Sequence, residues 1–158
     1  MIRKAQAADI PEVQAVARVA WEHTYKKIMK PATRSHFLDE FYNYNALYKA
    51  LNIQPGGIWV AEQQGRVVGF IQVVPMLDRS GLELSRLYVL PHYQRQGIGQ
   101  LLLNHVAAEY PSSSWWALVE RDDNSAVEFY RKNDFEQRRD LILNIFGEDL
   151  NFLEFFRK

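Results

Sequence analysis

A strand, a tight turn and a helix follow one another in residues 82–110, which read LELSRLYVLPHYQRQGIGQLLLNHVAAEY. Residues 82–90 are apolar and prone to form β-structure, and Pro91, which has no N–H, ends that pattern. A helical pattern begins after Gln94 and places its apolar side chains largely on one face. This segment therefore predicts a strand that leads through a short turn into an amphipathic helix.

The turn at the start of this helix is suited to bind an anion. The first N–H groups of a helix have no partner within it, and the helix dipole favours negative charge beside them. Gly97 and Gly99 have no Cβ to keep a ligand away from the backbone. Residues 84–108 contain Arg86, Arg95 and two histidines but no acid. The sequence therefore predicts a phosphate site here, although the whole chain carries 19 acidic and 19 basic residues.

Two common nucleotide motifs fit this turn poorly. A Walker loop requires GxxxxGK followed by Ser or Thr, and the chain has no such string. The dinucleotide fingerprint GxGxxG lacks its third glycine, because Leu102 stands at that position.

The motif Gln94-x-x-Gly97-x-Gly99, after a strand that ends in LYVLP, resembles the acetyl-CoA motif of the GNAT N-acetyltransferases. A second stretch, NSAVEFYRKNDF at residues 124–135, is similar to that family's Asn-x-x-Ala-x-x-Phe-Tyr-x-x-x-Gly-Phe. Asp134 stands where the family usually has glycine, so the left-handed conformation at the end of this helix would fall to Asn133 or Asp134.

The resemblance implies acetyl-CoA as co-substrate. No metal is expected, because the four histidines show no ligand spacing such as HExxH. The resemblance also implies that the backbone of Leu87, Tyr88 and Val89 pairs with the pantetheine arm. Asn124 is predicted to be a helix N-cap, or a cap that also bonds the pantetheine arm. The pyrophosphate would be held by the loop and helix start formed by Gln94, Arg95, Gln96, Gly97, Ile98, Gly99 and Gln100.

The implied reaction is acetyl transfer to an amine, which requires a base for the amine and an acid for the departing thiolate. Tyr130 matches the family's tyrosine and is the predicted acid; the alternative is a packing residue on an amphipathic helix. Glu83 is the predicted base and also a predicted acceptor contact, with Glu120 as the other candidate. Strict strand alternation would place Glu83, Ser85 and Leu87 on one face.

The acceptor side is predicted from the family's first two helices, which form one wall of that pocket. Trp21 and Tyr25 are the candidate acceptor-binding residues. Their spacing of four residues is equally typical of two core residues on one helix face, and that alternative stays open. The acceptor would be an amine of a small molecule, a polyamine or a peptide, with a faint likeness to bacterial spermidine/spermine acetyltransferases. A catalytically weak acyl-CoA-binding sensor is the alternative function.

Composition limits the class of protein. Residues 1–158 are long enough for one domain, and the absence of cysteine excludes disulfides, zinc–thiolate sites and a cysteine nucleophile. We see no signal peptide and no apolar run of about 20 residues, so a cytoplasmic protein without a membrane partner is expected. Balanced charge argues against a nucleic-acid partner. Apolar alternation in the last two strands suits a homodimer.

The chain as a whole predicts an α/β (α+β) architecture, the GNAT fold, with a mixed, mostly antiparallel sheet of about seven strands and four flanking helices. The expected order is β-α-α-β-β-β-α-β-α-β-β. The second helical region can break near Asn43. Predicted strands span residues 2–6, 58–62, 67–74, 82–90, 115–119, 135–146 and 150–156. The strands that begin at residues 82 and 115 are expected to splay apart and admit the cofactor.

Overall fold

The computed structural model describes all 158 residues and contains one mixed sheet of seven strands in the order β1-β2-β3-β4-β5-β7-β6. Only the β4–β5 pair is parallel. The strands are β1 (Ile2–Lys4), β2 (Gly57–Gln63), β3 (Arg66–Pro75), β4 (Leu82–Val89), β5 (Trp115–Glu120), β6 (Glu136–Ile145) and β7 (Glu148–Arg157). The helices are α1 (Ile10–Tyr25), α2 (Pro31–Phe41), α3 (Tyr44–Leu51), α4 (Ile98–Glu109) and α5 (Asn124–Lys132).

The predicted fold class and the predicted seven strands are confirmed, but the helix number is wrong, because five helices are present instead of four. The second helical region divides at Asn43. Its Oδ1 accepts a hydrogen bond from the N–H of Ala46 at 2.9 Å, and its Nδ2 donates to the carbonyl of Asp39 at 2.9 Å. One side chain thus caps the start of α3 and binds the last turn of α2.

Each face of the sheet has its own hydrophobic core. Helices α4 and α5 cover one face, here called the α4 face, with Leu102, Val106 and Val127 among the buried side chains. Helices α1, α2 and α3 cover the other face, here called the α1 face, around Phe70 and Leu47. None of the helices combines the length and hydropathy that a membrane span requires.

Strands β4 and β5 diverge after a short parallel contact. They pair only at Leu82 with Trp115, Glu83 with Trp116 and Leu84 with Ala117. Strand β5 stays paired with β7 as far as Glu120, so the second half of β4 has no partner on that side. The predicted splaying is therefore confirmed, and the open wedge between the two strands forms the principal cleft.

A β-bulge in β4 overturns the predicted alternation of Glu83, Ser85 and Leu87. Gln72 of β3 pairs with Arg86 and Val73 pairs with Leu84, which leaves Ser85 as the extra residue. Because a bulge inserts one residue, it exchanges the faces of the side chains that follow it. Leu87 consequently packs in the α4-face core with the side chains of Leu82, Leu84 and Val89, whereas the α1 face carries Glu83, Arg86 and Tyr88.

Candidate active site

The wedge between β4 and β5 is a cleft of about 740 Å³. The start of α4, the start of α5 and the end of α1 complete its walls. Most of the predicted site residues line it, namely Tyr25, Leu87, Tyr88, Val89, Gln94, Arg95, Gly97, Ile98, Gly99, Gln100, Asn124 and Tyr130. Gln96, Trp21 and Glu83 are not part of this lining.

The turn before α4 has the backbone conformation that its glycines favour. Arg95 and Gly97 both have left-handed backbones, with φ of 63° and 82°. None of the backbone N–H groups of residues 95–100 has a protein acceptor. Unpaired N–H groups at the start of a 12-residue helix can bind a phosphate oxygen.

The glutamines of the motif brace the turn through their side chains. Gln94 Nε2 donates to the carbonyl of Val89 at 2.9 Å, and Gln96 Nε2 donates to the carbonyl of His92 at 3.1 Å. Gln100 Nε2 donates to Asn133 Oδ1 at 2.6 Å and so ties α4 to the end of α5. The side chain of Gln96 therefore supports the loop from outside the cleft, while the backbone faces the ligand side.

The free edge of β4 provides the backbone groups expected to meet an extended ligand. Leu87, Tyr88 and Val89 pair with β3 on one side and have no strand partner on the other. An extended amide-bearing chain can add to such an edge as a strand does. This edge leads directly to the N–H groups of residues 95–100.

The helix cap at the start of α5 differs from the prediction. Asp123, not Asn124, is the N-cap residue, and its Oδ1 accepts from the N–H of Ala126 at 3.2 Å. Asn124 is the first helical residue and lines the cleft without a protein hydrogen-bond partner for its side chain. At the other end of α5, Asp134 adopts φ of 67°, so the expected left-handed residue is Asp134.

Tyr130 lies in an aromatic group at the floor of the cleft. Its ring is within 6.0 Å of the rings of Phe129, Phe135 and Phe155, measured between centroids. Burial raises the pKa of its hydroxyl above the ordinary value, and the charges of Asp123 and Glu83 add to this. The phenol therefore keeps its proton at neutral pH.

The two candidate bases occupy different places. Glu120, at the end of β5, lines the cleft, is 4% exposed, and its Oε2 has no hydrogen-bond partner. Burial raises its pKa from 4.5 to about 7, assisted by the negative charges of Asp122, Asp123 and Glu148. Glu83 lies outside the cleft lining, and its pKa is raised by burial and by the charges of nearby acids. Sequence alone had ranked Glu83 first.

Of the two predicted acceptor residues, only Tyr25 lines the cleft. Its hydroxyl lies 2.9 Å from the hydroxyl of Tyr88, which comes from β4. Trp21 is 4% exposed in the α1-face core, stacks on Phe37 with ring centroids 4.7 Å apart, and donates through Nε1 to the hydroxyl of Tyr42 at 3.3 Å. Trp21 therefore packs in the α1-face core and lines a separate pocket of about 610 Å³ rather than this cleft.

Comparison with known proteins identifies the family. Residues 54–137, more than half of the chain, match the family model described as acetyltransferase (GNAT) domain. A probable N-acetyltransferase of Mycobacterium tuberculosis is 28% identical over 145 residues, covering 85% of this chain and 78% of that protein. Spermidine N(1)-acetyltransferase of Thermoplasma acidophilum is 27% identical over 144 residues, covering 85% of this chain and 87% of that protein.

A solved structure extends the likeness to the whole fold. The PaiA N-acetyltransferase of Thermoplasma acidophilum, in complex with coenzyme A, superposes with a TM-score of 0.75 at 25% identity and covers 98% of this chain and 96% of that one. The chain belongs to the GNAT acetyltransferase family. It is accordingly an acetyl-CoA-dependent N-acetyltransferase.

Proposed function

We propose that the protein transfers the acetyl group of acetyl-CoA to a primary amine of a small molecule, a polyamine or a peptide by direct attack. The observation that carries this proposal is the position of Glu120 and Tyr130. Both line the cleft. The start of α4 and the free edge of β4 line the same cleft, through Arg95, Gly97, Ile98, Gly99 and Gln100 and through Leu87, Tyr88 and Val89. A base, an acid and a phosphate site therefore surround one space.

Glu120 is the proposed general base. An alkylammonium with pKa about 10.4 lies about 3.4 units above pH 7, so its deprotonation costs about 4.6 kcal/mol. A carboxylate whose pKa is about 7 accepts a proton much more readily than an ordinary glutamate does at that pH. Its unpartnered Oε2 leaves an acceptor free for the ammonium or for a relaying water.

Strand β4 and helix α5 can supply the oxyanion donor and the general acid that the reaction also requires. A backbone N–H on the free edge, at Leu87, Tyr88 or Val89, can stabilise the negative charge that develops on the acetyl oxygen. Tyr130, held protonated by burial, can donate its proton to the departing thiolate. Asn124 is placed to bond the pantetheine arm, because its side chain lines the cleft with no protein partner.

The names of two relatives bear on the identity of the acceptor. The Thermoplasma relative is named for spermidine, which supports a polyamine among the candidates. The mycobacterial relative is named only as an N-acetyltransferase. The first test is therefore release of the coenzyme A thiol from acetyl-CoA in the presence of polyamines, amino acids and short peptides, with the acetylated product identified by mass spectrometry.

Tyr130→Phe separates catalysis from cofactor binding. Loss of the phenolic proton donor is expected to lower kcat by roughly 100-fold, while the affinity for acetyl-CoA in calorimetry stays unchanged. Tyr48→Phe, on the exposed surface of α3, is the control and should behave as wild type. Tight acetyl-CoA binding without thiol release for any acceptor would instead favour the catalytically weak sensor.

A further inference from the structure

Arg86 is a half-buried cation in the cleft that has no anionic partner. It lies on β4 among the residues that line the cleft, and none of the eight ion pairs in the protein includes it. Charged groups removed from water are normally paired. Carboxylates pair with the partly buried guanidiniums of Arg3, Arg34 and Arg79. Arg157, also partly buried, has no carboxylate partner and donates to the carbonyl of Asn133.

The guanidinium of Arg86 is nevertheless held in one place. It stacks over the ring of Tyr42 at 4.0 Å from the centroid, and its Nη2 donates to the carbonyl of Phe41 at 3.0 Å. Its Nη1 is buried and has no acceptor. A buried donor without a partner costs free energy, and a guanidinium fixed by stacking loses little further freedom when it binds an anion.

The bulge at Ser85 separates Arg86 from the phosphate site. Because of it, Arg86 shares the α1 face of β4 with Tyr88, whereas the turn at Gly97 leads into α4 on the opposite face. Tyr88 in turn meets Tyr25, the predicted acceptor contact. Arg86 is thus on the side of the sheet assigned to the acceptor rather than on the side that holds the coenzyme A phosphates.

The cleft has the opposite charge on its β5 side. Glu120, Asp122 and Asp123 line it there, and no lysine or arginine forms an ion pair with any of them. An ammonium is attracted to these carboxylates, whereas a carboxylate is attracted to Arg86. A ligand that carries an ammonium and a carboxylate complements the acidic β5 side and Arg86, whereas a diamine complements only the acidic side.

We propose that the acceptor is an amine that also carries a carboxylate, a molecule of the amino-acid class, whose carboxylate binds Arg86 while its amine faces Glu120. This inference rests on the acetyl-transfer function proposed above. Guanidinium and carboxylate match in a planar, paired geometry, so Arg86 selects the acceptor without taking part in the chemical step. It is a specificity-determining residue.

The test compares acceptors that differ only in the carboxylate. Glycine, β-alanine, 4-aminobutyrate, 5-aminovalerate and 6-aminohexanoate are each paired with the alkylamine that lacks the carboxyl group. At one chain length, kcat/KM should favour the amino acid by roughly 10- to 100-fold, the range expected for a hydrogen bond to a charged group. That length reports the separation between the two charged sites. Lysine against cadaverine and spermidine completes the panel.

Arg86→Gln should remove this preference, so that kcat/KM for the amino acid falls to the value for the matching alkylamine. Arg86→Lys, which keeps the charge but loses the planar fork, should retain part of it. Arg138→Gln is the matched control, because that guanidinium also covers an aromatic ring, Phe156 at 4.6 Å, but lies outside the cleft. Circular dichroism and thermal unfolding confirm that each variant is folded.

Three outcomes would overturn the inference: equal rates for amino acids and alkylamines, a preference for cadaverine or spermidine, or an amino-acid preference that survives in Arg86→Gln. In each case acetyl transfer itself still occurs, so the proposed function stands. If no amine is acetylated, the proposed function fails, and calorimetric titration of the same amino acids into the coenzyme A complex decides the inference. Weaker binding by Arg86→Gln supports it, and unchanged or absent binding refutes it.

Discussion

Glu120→Gln tests the assignment of the base and the electrostatics of the cleft together. The substitution keeps the shape of the side chain and removes its charge. Glu120 is almost fully buried, and its pKa is raised from 4.5 to about 7 by burial and by Asp122, Asp123 and Glu148. Two consequences can be measured separately, one for the free energy of unfolding and one for the rate.

The effect on stability depends on pH. Because the folded-state pKa of Glu120 lies above its value in the unfolded chain, the folded protein holds the extra proton between about pH 4.5 and 7. The free energy of unfolding therefore falls as pH rises through that interval. By the linkage relation, the raised pKa of Glu120 lowers the free energy of unfolding by about 1 kcal/mol at pH 5 and by about 3 kcal/mol at pH 8, relative to an uncharged side chain. Glu120→Gln should recover these amounts.

The effect on the rate has the opposite sign. Only the carboxylate form of Glu120 accepts a proton, so kcat/KM of the wild type should rise with pH and inflect near pH 7. Loss of a general base typically lowers the rate by about 100- to 10,000-fold, and Glu120→Gln should also lose the inflection. The variant is therefore expected to be more stable and less active than the wild type at pH 8.

Urea unfolding at pH 5 and pH 8 and a pH profile of thiol release measure the two effects. Glu128→Gln is the control, because its carboxylate also lines the cleft but is 66% exposed, and it should leave both quantities nearly unchanged. A stability difference that is the same at both pH values would refute the electrostatic reasoning. Full activity in Glu120→Gln together with a large loss in Glu83→Gln would return the base to Glu83.

Two pairs of substitutions test the cofactor side of the cleft. Gly97→Ala and Gly65→Ala each place a Cβ in open space at positive φ, 82° and 76°, and each should cost about 1–2 kcal/mol in urea unfolding. Only Gly97→Ala should also weaken acetyl-CoA binding in calorimetry, and equal affinities would contradict the phosphate assignment. Asp123→Ala should lose about 1 kcal/mol with the bond to the N–H of Ala126. Asn124→Ala should keep that stability but bind acetyl-CoA more weakly, and the reverse pattern would restore Asn124 as the cap.

Local features of the chain could be predicted well. The strand, turn and helix around Gly97 depend on hydrogen bonds, glycine conformations and unpaired N–H groups within about ten residues. The amino-acid sequence alone therefore predicts them. The same holds for the left-handed residue at Asp134, since Asp tolerates that conformation at a helix end. A local prediction can still be wrong by one residue, however. The N-cap of α5 is Asp123, whereas the sequence predicted Asn124.

Some side chains were placed wrongly because their position depends on distant partners. Strict alternation would put Glu83 and Leu87 on one face, but the register of β3 against β4 forces Ser85 out as a bulge and reverses the faces beyond it. Trp21 and Tyr25 share one helix face, yet only Tyr25 reaches the cleft, because α2 and Tyr42 cover Trp21.

The order of the strands along the chain, the glycine turn before α4 and the family could be read from the sequence, because they follow from periodicity and from short motifs. The acid in the cleft, the face that Arg86 occupies and the divergence of β4 from β5 depend on the folded chain. Glu120 is 37 residues from Glu83, and its environment is made by α5, β7 and the acids beside it. The burial of a group and the electrostatic field that acts on it are sums over residues remote in sequence. The raised pKa of Glu120 and the unpaired charge of Arg86 therefore exist only in the folded chain.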